Sequence, residues 1–381
     1  MAQDAQKKPG IISTLKDDIT HGGFFATLKR EAREIEEFYL SDEEHERLNR
    51  KGVIWRWFVL AWWVLKNSFY KLTPTRRLLL VVGLVLLFLK ISATGQQGQS
   101  SINMNFDVLG VACLLLVLIL ELKDKLLAHG ELESGRAVQL AMSPEPTPFV
   151  PGWNVWLFTR SANEVGGDLV DFLRLTGDRF GIVIGDVAGK GLGAALFMVK
   201  IQATLSAIAS EYHSLSDLAS KLNSILIRDG MPGKFASMIF VRIDSPAGTL
   251  RYVNAGHLPP LVVSRDGVKQ LPKGNVALGL SVDAVYDGQE IALSAGQAMI
   301  LYSDGLTEAQ NEAGEFYGME RFEALCKQLA GFSPTAFGER IVTEVALFEG
   351  ESRRNDDLSL AIIQDPPDRP ACTTHIDLNF R

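Results

Sequence analysis

The sequence predicts an α+β fold: antiparallel β-sheets with helices packed outside them, preceded by transmembrane helices and a linker helix. Three observations predict it. Two apolar runs without a polar face, 78–89 and 108–120, stand in the first third of the chain. From Trp153 onward the pattern changes to short β-rich runs separated by turn signals, with a few helical stretches between them. Neighbouring β runs are spaced as hairpins, which favours antiparallel pairing with helices on the outer faces.

The bulk numbers bound the function classes. With 381 residues, 47% hydrophobic and 22% charged, the chain has globular composition and room for more than one domain. Its 38 basic side chains against 45 acidic ones, with no long Lys/Arg block, give no footprint for a phosphate backbone, so no nucleic-acid partner is expected. Cys113, Cys326 and Cys372 stand far apart without CxxC spacing, which indicates neither a zinc site nor a disulfide framework and suits a reducing compartment. The six histidines never recur at ligand spacing on one helix, so any metal here is a hard one held by carboxylates.

The elements follow in order. Segment 1–52 is polar, dense in Glu and Arg over 31–50, and lacks the opening of a cleavable signal peptide. Segment 53–73, with Trp55, Trp57, Trp62 and Trp63, reads as an interfacial helix or a third partial insertion or, equally, as an ordinary packed helix. Transmembrane helices are expected over 74–93 and 105–122, each apolar run reaching the roughly 20 residues of a span by adding flanks. Lys66, Lys71, Arg76 and Arg77 precede the first run, Lys123 and Lys125 follow the second, and the loop 94–105 has no Lys or Arg. By the positive-inside rule both ends then lie in the cytoplasm, which places the chain in the cell inner (cytoplasmic) membrane as a multi-pass protein. Segment 123–149 is a linker helix stopped by Pro144, Pro146, Pro148 and Pro151. Leu122, Leu126, Leu132 and Val138 hint at a homodimer seam along it, weakened by Gly130 and Gly135. Within the domain at 150–365, strands are expected at 153–160, 168–175, 179–187, 235–243, 249–255, 259–264, 289–293, 297–303 and 358–364. Helices are expected at about 192–210, 215–228, 319–330 and 334–349, and a loose tail at 366–381.

The stretch 166–187 carries the chemistry. Two β-prone runs flank the turn Thr176-Gly177-Asp178, and a hairpin centred on Gly177 pairs residues whose numbers add to 354, so Asp168 and Asp186 face each other. Opposed like charges destabilise a strand pair, and burying both among Val170, Phe172, Ile182 and Ile184 is costly without a cation. Either a divalent metal sits between them, or they cap turns at the strand ends. Asp304 ends another apolar run, and Asp356 and Asp357 begin the run 358–363. In antiparallel pairing these ends converge, giving an oxygen-only cluster suited to Mg²⁺ or Mn²⁺. Because neighbouring residues on a strand point to opposite faces, only one of Asp356 and Asp357 is expected as a ligand. Gly185 to Gly191 is not a nucleotide-binding P-loop: three residues, not four, separate Gly185 from Gly189, and Gly191 follows Lys190 where Ser or Thr is needed.

Five pieces, in order, resemble the metal-dependent serine/threonine phosphatases of the PPM superfamily, in the bacterial SpoIIE/RsbU-like branch. They are Val165-Gly-Gly-Asp168 with Asp171; Gly185-Asp-Val-Ala-Gly-Lys-Gly191 with Ala194-Ala-Leu196; Asn254-Ala-Gly-His-Leu-Pro-Pro260; Leu301-Tyr-Ser-Asp-Gly-Leu-Thr-Glu308; and Asn355-Asp-Asp-Leu-Ser359. The segment 131–148, with Arg136 and Gln139, is similar to the helix that transmits regulation in that family. The resemblance implies an α-β-β-α layered sandwich and two divalent cations, Mn²⁺ or Mg²⁺. Asp168 and Asp186 would bind them, Asp186 bridging both, with the carbonyl of Val187 completing one shell. Asp304 and Asp356 would hold the second ion, with Asp357 as the alternate. Asp186 and Asp168 would thus be the catalytic pair, and the substrate a phosphorylated protein, such as a regulator of the anti-sigma-factor-antagonist type. Animal relatives grip the phosphate with an Arg that has no evident counterpart here, which leaves Lys190 and Arg160 as candidates. His257 reads as a hydrogen-bonding support, with a proton donor as the other reading. The competing class is a non-catalytic phosphatase-like adapter held at the membrane.

Overall fold

The computed structural model describes residues 62–63, 65–94, 101–229, 233–244, 249–352 and 354–366. The expectations for 1–52, for the start of the Trp-rich segment, for the turn at 245–248 and for nearly all of the tail lie outside these residues. The chain divides into two units, Met1–Leu126 and Leu127–Arg381.

In the first unit, residues 65–71 are helical, and Pro at its first turn starts helix α1 (Pro74–Phe88) after the extended Thr73. The helix expected over 74–93 is corrected here: it ends at Phe88, and strand β1 (Lys90–Thr94) pairs antiparallel with β2 (Ser101–Asn105). The β-branched Ile91 and Thr94 favour the strand. The segments 105–122 and 123–149 run on as a single helix, α2 (Asp107–Ala141), of 35 residues. Gly130 and Gly135 cost only about 1 kcal/mol each relative to Ala and do not stop it; the helix ends before Ser143-Pro144. Within this unit α1 and α2 meet at two glycines: a Cβ on Gly110 would lie 2.8 Å from the Gly83 carbonyl oxygen. Such small-residue contacts bring helix backbones together. Leu78, Val82, Val85 and Phe88 on α1 and Val108, Leu115 and Ile119 on α2 are left exposed. At 15 residues α1 is about 22 Å long, short of a hydrocarbon core of about 30 Å. Among the described residues, the helical stretch long and apolar enough to cross a membrane is 192–211, which is packed in the core of the second unit.

The second unit is built from two five-stranded antiparallel sheets. The first has the order β10 (Gly288–Ala292), β7 (Thr249–Ala255), β6 (Ala236–Asp244), β5 (Arg179–Val187), β4 (Leu169–Arg174). The second has the order β3 (Asn154–Arg160), β12 (Leu358–Gln364), β11 (Ala298–Tyr302), β8 (Leu261–Ser264), β9 (Gly267–Gln270). Side-chain alternation explains the layers. On β5, Ile182 and Ile184 enter the core between the sheets with Val170, Ile239, Leu301 and Ile363, while Val183 faces the other way. On that outer face pack α3 (Leu192–Ile208) and α4 (Leu215–Asp229), through Phe197, Leu205 and Leu222. On β12, Leu358, Leu360 and Ile362 face α6 (Gly318–Gln328) and α7 (Pro334–Glu349), through Phe322, Phe337 and Ile341. The order of layers is therefore α-β-β-α, as expected. The central strands are buried on both faces, so β5, β6, β11 and β12 read as nearly unbroken apolar runs, while the edge strands β9 and β10 stay partly exposed. Two elements had no sequence signal strong enough to be expected: the edge strand β9 and the single turn α5 (Asp304–Thr307).

Candidate functional site

The hairpin that carries the first two carboxylates has the expected register. Leu169 pairs with Gly185 and Arg174 with Phe180, so paired numbers add to 354, around Gly177 at φ 73°. Asp168 immediately precedes β4 and Asp186 lies on β5, on the same face as Ile182 and Ile184, at the edge of the gap between the sheets. The second sheet supplies the others. Asp304 follows the end of β11, and Asp356 and Asp357 precede β12, its antiparallel partner. The two strand ends touch through their backbones: a Cβ on Gly305 would lie 2.0 Å from the Asp357 carbonyl oxygen. Gly305→Ala is therefore expected to force Asp304 away from Asp356 and to weaken divalent-cation binding at least tenfold. Titration with Mn²⁺ would show it, and an unchanged affinity would contradict this account of the contact.

The four strand ends bring like charges together. Burial pushes the Asp186 carboxyl up to about 7, helped by the charges of Asp304, Asp356 and Asp357. Burial raises Asp168 strongly against hydrogen bonds from Ser359 and Ser303, and Asp357 and Asp186 add to the rise. Burial and then Asp356 raise Asp304. Asp168 Oδ2 is buried without a hydrogen-bond partner. Among the described residues no three Asp, Glu, His or Cys side chains are disposed around one point as ligands of a single ion. The donor set nonetheless suits a hard cation: oxygen only, mutually repelling, with one orphaned buried oxygen. The Val187 carbonyl faces the same place, 3.4 Å from the position a Cβ on Gly167 would take, with Asp186 Oδ1 at 3.6 Å.

Geometry separates Asp356 from Asp357. Asp357 is buried, and backbone amides occupy both of its oxygens: Ala162 donates to Oδ1 at 2.8 Å, and Gly167 and Asp168 donate to Oδ2 at 2.7 and 3.3 Å. It ties the loop before β4 to the start of β12. Asp356 keeps a side chain that is 34% exposed and meets Lys190 Nζ at 3.0 Å. Lys190 also donates to the Asn355 carbonyl, so it stands at the cluster. Arg160, at the end of β3, is instead engaged by Glu349 of α7 at 3.2 Å, a carboxylate that Arg354 shares. The buried ring of His257 has its pKa lowered to about 4 by burial, which removes the imidazolium form a neutral-pH proton donor would need.

Gln139, on the helix singled out in the sequence, has a partner that the sequence did not indicate. On the last turn of α2, Gln139 Nε2 donates to the Gly166 carbonyl at 2.9 Å, and its Oε1 accepts from the Gly166 amide at 3.1 Å. Gln202 of α3 holds the end of the same helix by donating to the Met142 carbonyl at 2.9 Å. A Cβ at position 166 would lie 2.4 Å from Asp357 Oδ2, so glycine is required where Gln139 and Asp357 meet the loop.

Residues 176–365 match the family model for stage II sporulation protein E (SpoIIE). The chain is 30% identical over 219 residues to Protein IcfG of Synechocystis sp., covering 50% of this chain and 34% of that protein. It is 26% identical over 186 residues to Phosphoserine phosphatase RsbU of Bacillus subtilis, covering 48% of this chain and 55% of that protein. The chain thus spans about a third to a little over half the length of these curated relatives. The solved SiaA-PP2C domain of Pseudomonas aeruginosa shares the fold, with a TM-score of 0.56 at 20% identity, over 63% of this chain and 98% of that one. Part of the second unit thus matches the SpoIIE family model, and that unit shares the fold of the SiaA-PP2C domain.

Proposed function

We propose that the chain is a membrane-anchored, metal-dependent serine/threonine phosphoprotein phosphatase acting in the cytoplasm on a phosphorylated signalling regulator, of the anti-sigma-factor-antagonist type. The observation that carries this reading is the convergence of Asp168 and Asp186 from one sheet with Asp304 and Asp356 from the other, where burial and mutual repulsion favour neutralisation by cations. These four carboxylates, with the Val187 carbonyl, would hold two divalent ions, Mn²⁺ or Mg²⁺. When bound, such ions lower the pKa of a water and neutralise charge on phosphoryl oxygens during in-line displacement. The chain's own residues do the rest. Asp186, which feels Asp304, Asp356 and Asp357 at once, is the central carboxylate. Asp357 fixes the loop that presents Asp168. Lys190, more than half exposed beside Asp356, can leave that carboxylate for a substrate phosphate once a cation takes its place. The name of Phosphoserine phosphatase RsbU supports a phosphoserine substrate.

Anchoring rests on the exposed apolar faces of α1 and α2 and their glycine contact in the first unit, together with the charge asymmetry of the flanks. Arg76, which bonds Glu121 at 2.7 Å and Asp124 at 2.6 Å, would pin the cytoplasmic end of the hairpin. Regulation is read the same way: a change in the hairpin, or in a dimer formed along the linker, would move the 121–142 rod and, through Gln139, the loop before Asp168.

The test is phosphate release from a phosphoserine protein by the full chain, with Mn²⁺, with Mg²⁺ and with chelator, beside sedimentation of the chain with membranes. Cation-dependent release from the membrane fraction is expected. No release with either ion would leave the adapter reading in its place, and release from a chain that stays in the soluble fraction would remove the anchor.

A further inference from the structure

His257 is buried, its backbone held by Asn254 and its ring by Ser237. Asn254 accepts from its backbone amide at 2.8 Å and donates to its carbonyl at 3.1 Å. Gly256, at φ 74°, carries the chain into the turn where a Cβ would stand 2.7 Å from the Ala277 amide. Nδ1 lies 2.8 Å from Ser237 Oγ. Nε2 is sealed from solvent without a hydrogen-bond partner, and the Tyr302 backbone is near enough to act on the ring electrostatically. The two neighbours of the ring belong to different sheets. Ser237 is the strand partner of Asp186, directly opposite it on β6. Tyr302 ends β11, two residues before Asp304.

We propose that His257 is a positioning residue: through Ser237 on one side and the Tyr302 backbone on the other, its ring sets the spacing between the sheet that carries Asp186 and the sheet that carries Asp304. A wedge suits this place because the cluster is split between two sheets that no backbone ladder joins among the described residues, and its carboxylates repel one another. A neutral imidazole suits the place, since it fills the gap without adding charge and anchors one ring nitrogen on Ser237. Its own depressed pKa agrees with that neutral state. The inference rests on the metal reading above, because the spacing is set for a shared ligand.

The experiment measures Mn²⁺ binding to the full chain directly, from the loss of the free-ion paramagnetic resonance signal, in Ser237→Ala, His257→Phe and the double variant. Outer contacts of this kind are worth about 10–100-fold in metal affinity. Each single variant is expected to bind Mn²⁺ about tenfold more weakly, and the double variant no more weakly than the worse single one, because both act through one ring. Ser237→Ala removes a single hydroxyl, so it decides the matter should the Phe variant fail to fold. Its melting temperature in chelator should stay within a few degrees of the parent. Retained affinity in Ser237→Ala, or losses that multiply in the double variant, would overturn the inference while leaving the metal reading intact. An unsubstituted chain that binds no Mn²⁺ would overturn both.

Discussion

Asp186→Asn is expected to make the cation-free protein more stable while lowering phosphate release by about a hundredfold or more. The direction follows from the position of its carboxyl, pushed up to about 7 by burial and then by Asp304, Asp356 and Asp357. Between its ordinary unfolded value of 3.8 and about 7, the folded chain holds a proton that the unfolded chain has released. Stability then falls as pH rises through that window, the reverse of the usual salt-bridged carboxylate. In chelator the parent should therefore melt higher near pH 5 than near pH 8, and Asp186→Asn should flatten that slope. A change of 1 kcal/mol moves the midpoint of a domain this size by about 2–4 °C, which a melting curve resolves. Added Mn²⁺ should reverse the order, raising the parent at pH 8 and leaving the variant where it was, because binding releases the proton and supplies the missing charge. A parent whose chelated midpoint climbs from pH 5 to pH 8 would contradict the electrostatics of the cluster.

The two adjacent aspartates before β12 should fail in opposite ways. Asp357→Ala removes the acceptor for the amides of Ala162, Gly167 and Asp168, leaving donors to the loop at about 1–3 kcal/mol each. The expected loss of stability is about 3–5 kcal/mol, with activity lost through unfolding of the loop rather than through the chemistry. Asp356→Ala takes away a partly exposed side chain whose ionic partner among the described residues is the exposed Lys190. It should cost little stability, about 0.5 kcal/mol or less, and still abolish phosphate release. Denaturant midpoints and phosphate release on both variants separate these outcomes. A dead but fully stable Asp357→Ala together with an unfolded Asp356→Ala would reverse the roles given to the pair.

The central strands of the second unit were legible nearly to the residue because they are buried on both faces and bounded by turn residues, whereas the exposed edge strand β9 gave no such run. β5 and β12 run over 179–187 and 358–364 as read from their apolar runs alone. The register of the hairpin at Gly177 was legible too, because one positive-φ glycine leaves one way to fold back. From that register came the meeting of Asp168 and Asp186. What could not be read were contacts between a side chain and a distant backbone. Nothing in the run Asn355-Asp-Asp says which aspartate is taken up by the amides of 162–168, since that depends on how the loop before β4 lies over the strand ends. Arg160 looked free to grip a phosphate, and its capture by Glu349 joins residues 189 positions apart. The helix expected over 74–93 was misjudged at its end, where apolar composition ran on past Phe88 but the chain turns to strand at Lys90.

Gln139 reads main chain, not side chain, and that gives the joint a particular mechanical character. Both of its hydrogen bonds end on Gly166, so they form and break together. A helix advances 1.5 Å and turns about 100° per residue, and a slip of one residue would carry the amide out of reach of both groups. Two such bonds, at about 0.5–1.5 kcal/mol each, make a coupling of about 1–3 kcal/mol, enough to change an equilibrium roughly 5–150-fold. Smaller twists of the rod would be absorbed by the flexible glutamine stem and leave the loop where it is. The linker would then report to the carboxylates as a latch with two positions, deaf to thermal jitter along its length and responsive to a whole step.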